Sequence, residues 1–411
     1  VKVVFLDGWR KEAVAIGVLA GAFFAHATRA AAREFDPPTS DEITAVRTER
    51  EGIPNTLLAL KDSGHLTQEE VDASAVVYST LPPLSQALFL KLAARVTKAG
   101  DKSVLSQSDF LGQTLLRNLA TTTSMPFHPV LEPQRDAIVA DFLLELSNPG
   151  ELNQASWGVC GTGLIYPLYV DYPAEAARLV GALLAPEVRA RFKDGSIVER
   201  ASFSLESDMR PGRSTTERLL MSAFMERANG SLHYCNVCDS HYDPNNGTMP
   251  HIGLTNLEIS TLYRAVFGLP QSWMERRGNP SEVLMSQLSQ ESKSLSFVPI
   301  ALKWNSTAVR PQAYRHAASS AITGIQSHKT LLSEGATPVL VDGYHFVLVT
   351  KVDHDAGKVF FRNLHGATSY PAGTILSDPP RIVEDPVLGI ESMTLAEVAK
   401  RLDVVFKAQD K

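Results

Sequence analysis

The sequence predicts an α+β protein in which helices come first and an antiparallel sheet comes later. Three observations carry this. Apolar residues recur at helical spacing, opened by capping boxes, over residues 53–119 and again over 134–268. After Gly335, short apolar runs alternate with turn residues, as strands and hairpins do. The chain has 411 residues, 44% hydrophobic and 20% charged, a globular composition with enough length to bury a sizeable core.

Taken in order, residues 13–25 form an uncharged apolar run preceded by Lys2, Arg10 and Lys11 and followed by the small-x-small triplet Ala25-His26-Ala27. That reads as a secretory signal peptide, and hence as a secreted or periplasmic protein. The other reading is a buried hydrophobic helix, which Asp7 and Glu12 favour over a cleanly basic leader. The run is short for a membrane span, which takes about 20 apolar residues, so a membrane contact is expected only through this segment.

Residues 35–44 read as a linker, and residues 36–125 as a helical N-terminal region. Within it, Thr67 and Glu70 form a capping box, and helices are expected over 71–81, 84–96 and 106–119. A second linker over 120–129 marks a domain boundary, so residues 126–411 form the second domain. There, helices are expected over 134–147, 164–170 and 174–184, then from the capping boxes Ser214–Glu217 and Thr255–Glu258. Lys193-Asp194-Gly195 reads as a hairpin turn. The last third predicts a helix over 318–333, strands over 338–341, 345–352 and 358–363 with a turn at 355–357, a helix capped by Thr394, and a closing strand over 404–406.

Charge excludes one class of partner. The net charge is −6 with no block of like charges, whereas phosphate binding needs a basic face, so no nucleic-acid partner is expected. Three cysteines cannot build a disulfide framework.

The chemistry centres on the stretch NQASWGVCGTG, residues 153–163. A thiol attacks as its thiolate, which a helix start and a nearby imidazolium favour. Cys160 lies just before the expected helix, between glycines that leave access to the sulfur. An oxyanion formed by attack on a carbonyl needs donors, and the Gln154 amide, six residues earlier, can supply one. The base needs a third group to orient it. His345 opens the apolar strand GYHFVLVTKV, and Asn363 ends the next strand, so an antiparallel hairpin brings the two together.

Gln154, Cys160, His345 and Asn363, in this order, resemble the papain-like cysteine peptidase superfamily. The run Asn363-Leu364-His365-Gly366 is similar to the family's Asn-x-Trp-Gly, with His365 in place of Trp. Gly161 stands where the family usually has an aromatic residue. The resemblance covers residues 153–402 and implies a papain-like catalytic domain with an insertion around 230–296. It implies a cysteine-type peptidase or amide hydrolase acting on a protein or peptide through a thioester, with no cofactor required. Acyl transfer by the same chemistry, and a non-catalytic binding protein reusing the fold, are the alternatives.

A second cluster, LHYCNVCDSHYD, holds His233, Cys235, Cys238 and His241. Two cysteines and two histidines are a ligand set for structural zinc. A local Cys235–Cys238 disulfide and a pair of free thiols are the readings left open beside it.

Overall fold

The computed structural model describes residues 53–154, 159–206, 213–237, 239–243, 245, 253–269, 271–306, 341–364, 371–377 and 379–408. The expected signal segment at 1–35, the linker at 35–44, the helix at 318–333 and all but the last residue of the strand at 338–341 lie outside them.

The helical part begins with α1 (Asn55–Asp62), α2 (Gln68–Thr80), α3 (Pro83–Ala94), α4 (Leu115–Ser124) and α5 (Arg135–Ser147). Then follow α6 (Ile165–Asp171), α7 (Pro173–Leu184), α8 (Thr215–Ala228) and α9 (Asn256–Phe267). The capping boxes at Thr67, Ser214 and Thr255 form as the sequence predicts, each hydroxyl accepting the N3 amide while the N3 glutamate accepts the cap amide. Gly268 ends α9 at φ 66°, a left-handed position that glycine adopts without strain.

The helix expected over 106–119 starts late, at Leu115. Asp109 Oδ1 accepts the amides of Leu111 and Gln113 and folds this stretch into a turn, and Gly112 sits at φ 83°. Such side-chain bonds compete with helical ones. Thr114 then caps α4 through the Arg117 amide.

The strands are β1 (His233–Cys235), β2 (Ser240–Tyr242), β3 (Gln271–Glu275), β4 (Val298–Ser306), β5 (Val341–Asp353), β6 (Lys358–Arg362), β7 (Ile375–Ser377), β8 (Pro380–Asp385), β9 (Ile390–Thr394) and β10 (Leu402–Ala408). Helices α10 (Ser281–Ser294) and α11 (Leu395–Arg401) lie among them. β1 and β2 form a separate hairpin, and the rest form an eight-stranded sheet in the order β3-β10-β4-β5-β6-β9-β8-β7. Every paired neighbour in it is antiparallel. The α+β class is therefore observed.

Alternation along the strands gives the sheet two buried faces. Ala301, Leu348, Val404 and Phe406 face the helices and join their core. Val298, Ile300, Leu302, Val347, Val349, Val359, Phe361 and Val405 face the other way, covered by Leu284 and Leu288 of α10 and Val398 of α11.

One expectation about organisation changes. The boundary at 120–129 does not divide the core: α4 runs to Ser124, and one contiguous cluster of buried residues extends from Leu57 through Phe127 to Phe406. The stretch at 230–296, read as an insertion, is built into the fold. Its β3 forms one edge of the sheet beside β10, and its α10 closes the second core.

β5 is longer than its apolar run. β4 supplies it with partners from Val298↔Val349 to Ser306↔Val341, so His345 lies inside the strand, opposite Leu302, and not at its mouth. β6 pairs with β5 only as far as Leu348↔Arg362. Before Leu348, β5 therefore lacks β6 on that side, and the backbone is open to another group.

Candidate active site

Cys160 fills that opening. It begins a 3-10 turn, Cys160–Thr162, held by the Thr162 amide and hydroxyl, which both donate to the Val159 carbonyl. The α-helix follows at Ile165, close to the expected start, and the 3-10 turn stands between it and the sulfur. The backbone N–H groups of Phe346 and Gly161 donate to the thiolate form and favour it. Burial acts more strongly against it and pushes the Cys160 thiol up, with the charge of Asp239 adding to the same effect. The balance of these effects works against the thiolate.

Cys160, Leu164, Ile259, Tyr263, Phe346 and Leu364 are among the residues around a cavity of about 10 Å³, room for about one water. Gly161 is required here. A Cβ at this position would lie 2.8 Å from Cβ of Leu254, which takes the space a larger residue after the cysteine would need.

His345 and Asn363 come together as the hairpin predicts. His345 Nε2 lies 2.8 Å from Asn363 Oδ1. Asn363 is 2% exposed, and its Nδ2 faces Glu391 Oε2 at 3.4 Å. Glu391 on β9 pairs with Arg381 on β8 at 2.8 Å. Burial lowers the His345 imidazole from its ordinary value, Arg381 lowers it further, and the Asn363 bond works the other way. No direct hydrogen bond between Cys160 and His345 is found among the described residues. The two groups instead share a peptide unit: the N–H that meets the sulfur belongs to Phe346, the residue after His345.

Gln154 is 3% exposed, and its backbone N–H donates to the Leu364 carbonyl at 2.7 Å, one residue past Asn363. Two buried groups hold this segment. Glu217, the capping-box glutamate of α8, also accepts the Asn153 amide at 2.6 Å. Arg362, fully buried, donates to Gly150 O at 2.9 Å, Leu152 O at 3.0 Å, Gly389 O at 3.2 Å and the Asn363 carbonyl. Its guanidinium also lies 5.1 Å from the Tyr166 ring centroid. Burial lowers Arg362 to about 10, so it stays charged at neutral pH. The four residues singled out in the sequence are thus neighbours around the end of β6. Glu391, Arg381 and Arg362 were not singled out. The one sign of Glu391 is a carboxylate within a strand, IESMT, whose flanks are apolar.

The second cluster is not part of this group, although its turn residue Asp239 approaches Cys160 electrostatically. Cys235 is disulfide-bonded, and Cys160 is free. Cys238 lies outside the described residues. A disulfide sulfur offers no thiolate to a metal, which corrects the zinc reading of His233, Cys235, Cys238 and His241. The histidines are also engaged: His233 Nδ1 with Glu226, and His241 with Asn229 and, at 2.9 Å, with Gly253 O. Among the described residues no group of three or more His, Cys, Asp or Glu is placed to hold a metal ion. No helix among them is long and apolar enough to cross a membrane. Residues 365–370, with His365 of the Asn-x-Trp-Gly-like run, also lie outside the described residues.

Compared with protein-family models, with curated proteins and with solved structures, the chain matches none.

Proposed function

We propose that this chain is a cysteine-dependent amide hydrolase of the papain-like peptidase type, acting on a protein or peptide and needing no cofactor. The observation that carries the reading is the pairing of His345 with Asn363 at 2.8 Å on the residue whose following amide meets the Cys160 sulfur. An oriented imidazole beside a thiol is the minimum that thiol acylation needs.

In this reading the Cys160 sulfur attacks the carbonyl carbon, and its proton passes to Nδ1 of His345. The Gln154 amide stabilises the oxyanion. The C–N bond then breaks, the amine leaves with the proton held by His345, and a thioester remains on Cys160. Water, deprotonated by His345, hydrolyses it. Since burial favours the neutral thiol and the neutral imidazole, the proton moves as the sulfur attacks, by general-base catalysis.

One observation favours a second reading, a non-catalytic binding protein of the same architecture: a neutral thiol beside a cavity with room for about one water. A peptidyl acyloxymethyl ketone separates the two. It should label Cys160 in the native chain, and His345→Ala should slow that labelling about 10²–10⁴-fold. Labelling no faster than that of the unfolded chain would sink the hydrolase reading.

A further inference from the structure

The Asn363 amide has two ends with opposite requirements. Nδ2 can only donate, and it faces Glu391 Oε2 at 3.4 Å. An ionised carboxylate can only accept. A flipped amide would set two acceptors against each other, so even this long contact decides the orientation. Oδ1 is therefore the atom 2.8 Å from His345 Nε2. Since Oδ1 can only accept, Nε2 carries the proton of the neutral ring, and Nδ1 is left as the basic nitrogen.

Glu391 is itself fixed. Arg381 Nε meets the same Oε2 at 2.8 Å, with the Arg381 and Glu391 side chains 16% and 11% exposed. Arg381 compensates a carboxylate that would be costly to leave buried alone. Sheet register puts these groups on one face. Glu391 opposes Phe361 of β6, Phe361 opposes Val349 of β5, and Val349 shares its face with Val347 and His345. A polar row thus crosses β8, β9, the end of β6 and β5 beside an otherwise apolar core.

We infer that the buried Arg381–Glu391 pair is a positioning device for the candidate base: Glu391 orients the Asn363 amide and thereby holds His345 in the Nε2–H tautomer. Nδ1 then carries the lone pair of the neutral ring. The catalytic meaning rests on the hydrolase reading above. The tautomer does not, and so it is tested separately.

Imidazole ¹⁵N shifts of the full chain report the tautomer. His345 should be predominantly Nε2–H in the native chain, and a mixture of tautomers in Asn363→Ala and in Glu391→Ala. Glu391→Gln keeps an acceptor and should retain most of the native form. Arg381→Gln leaves the carboxylate and should shift the balance less than Glu391→Ala; if Glu391→Ala does not fold, Glu391→Leu, which fills the site without offering an acceptor, carries the test and should give the same mixture. With a peptide amide substrate, Glu391→Ala should lower kcat about 10-fold with KM little changed. Adding it to Asn363→Ala should cost little more, because both act along one row. A purely structural ion pair would lower Tm and leave the tautomer as it was. An unchanged tautomer in folded Glu391→Ala or Glu391→Leu overturns the inference. Failure to turn over any amide, with the tautomer shifting as expected, overturns the hydrolase reading alone.

Discussion

Burial moves the thiol of Cys160 up and the imidazole of His345 down, so it favours the uncharged form of each. The flanking glycines and the nearby helix suggest an exposed, ionised thiol, but tertiary packing decides the outcome. Iodoacetamide alkylation of Cys160 should therefore rise with pH through a midpoint above about 8.5, the ordinary thiol value. A rate already at its plateau at pH 6 would mean an ion pair and contradict this. His345 also shapes acid stability. The unfolded chain protonates it near pH 6.5, while the folded chain does so only at lower pH. Between these values unfolding takes up a proton, so stability present above about pH 6.5 is lost as pH falls through the folded pKa. His345→Gln should flatten that part of the Tm–pH curve, and an unchanged curve would show that other groups govern it. Gln154→Ala should leave alkylation nearly unchanged, because alkylation forms no oxyanion. It should cut amide hydrolysis about 10²–10³-fold, the scale of a lost oxyanion donor.

At the scale of elements, the site is held where the turn before Gln154 docks on the sheet. Gly150 makes this docking possible: a Cβ there would lie 2.1 Å from the Val387 carbonyl oxygen, in the turn between β8 and β9. Backbone cannot rotate away as a side chain can. Gly150→Ala should therefore destabilise by at least the upper part of the overpacking range of about 1–3 kcal/mol. Arg362→Met should cost at least about 3 kcal/mol, since it strips the carbonyls of Gly150, Leu152 and Gly389 of a buried donor. Chemical denaturation of both variants measures this, and a native midpoint in either would show that the turn is not held as described. Local signals made much of the rest legible. The capping boxes at Thr67, Ser214 and Thr255, the Gly357 turn and the pairing of His345 with Asn363 all depend on residues close in sequence or on a single hairpin. The second use of Glu217 at Asn153, the reach of Arg362 to Gly150 and the Arg381–Glu391 pair behind Asn363 depend on strand order. Periodicity carries no information about that order.

Across the whole molecule, the helices before residue 125 are part of the body that carries the site. Arg95, at the end of α3, donates to the carbonyls of Leu146, Tyr169 and Val170, at the ends of α5 and α6. Asn118 on α4 donates to Ala174 O at 2.9 Å in α7, and the His128 amide donates to Leu184 O at 2.7 Å. The proposed linker is thus stitched down on both sides, and Leu115, Leu119 and Phe127 within or next to it are buried. Removing α1–α4 would expose the apolar surface they cover, at about 25 cal/mol for each Å² returned to water, and would leave the last-turn carbonyls of α6 without the Arg95 guanidinium. Calorimetry of the full chain should accordingly show the helical region and the sheet melting in one transition. Limited proteolysis should show no preferred cut at 120–129, and a chain beginning at residue 126 should fail to give a cooperative melt. Two resolved transitions, or a stable fragment beginning near residue 126 with native Cys160 reactivity, would mean that the shared core contributes little and that the helical region is a separate unit after all.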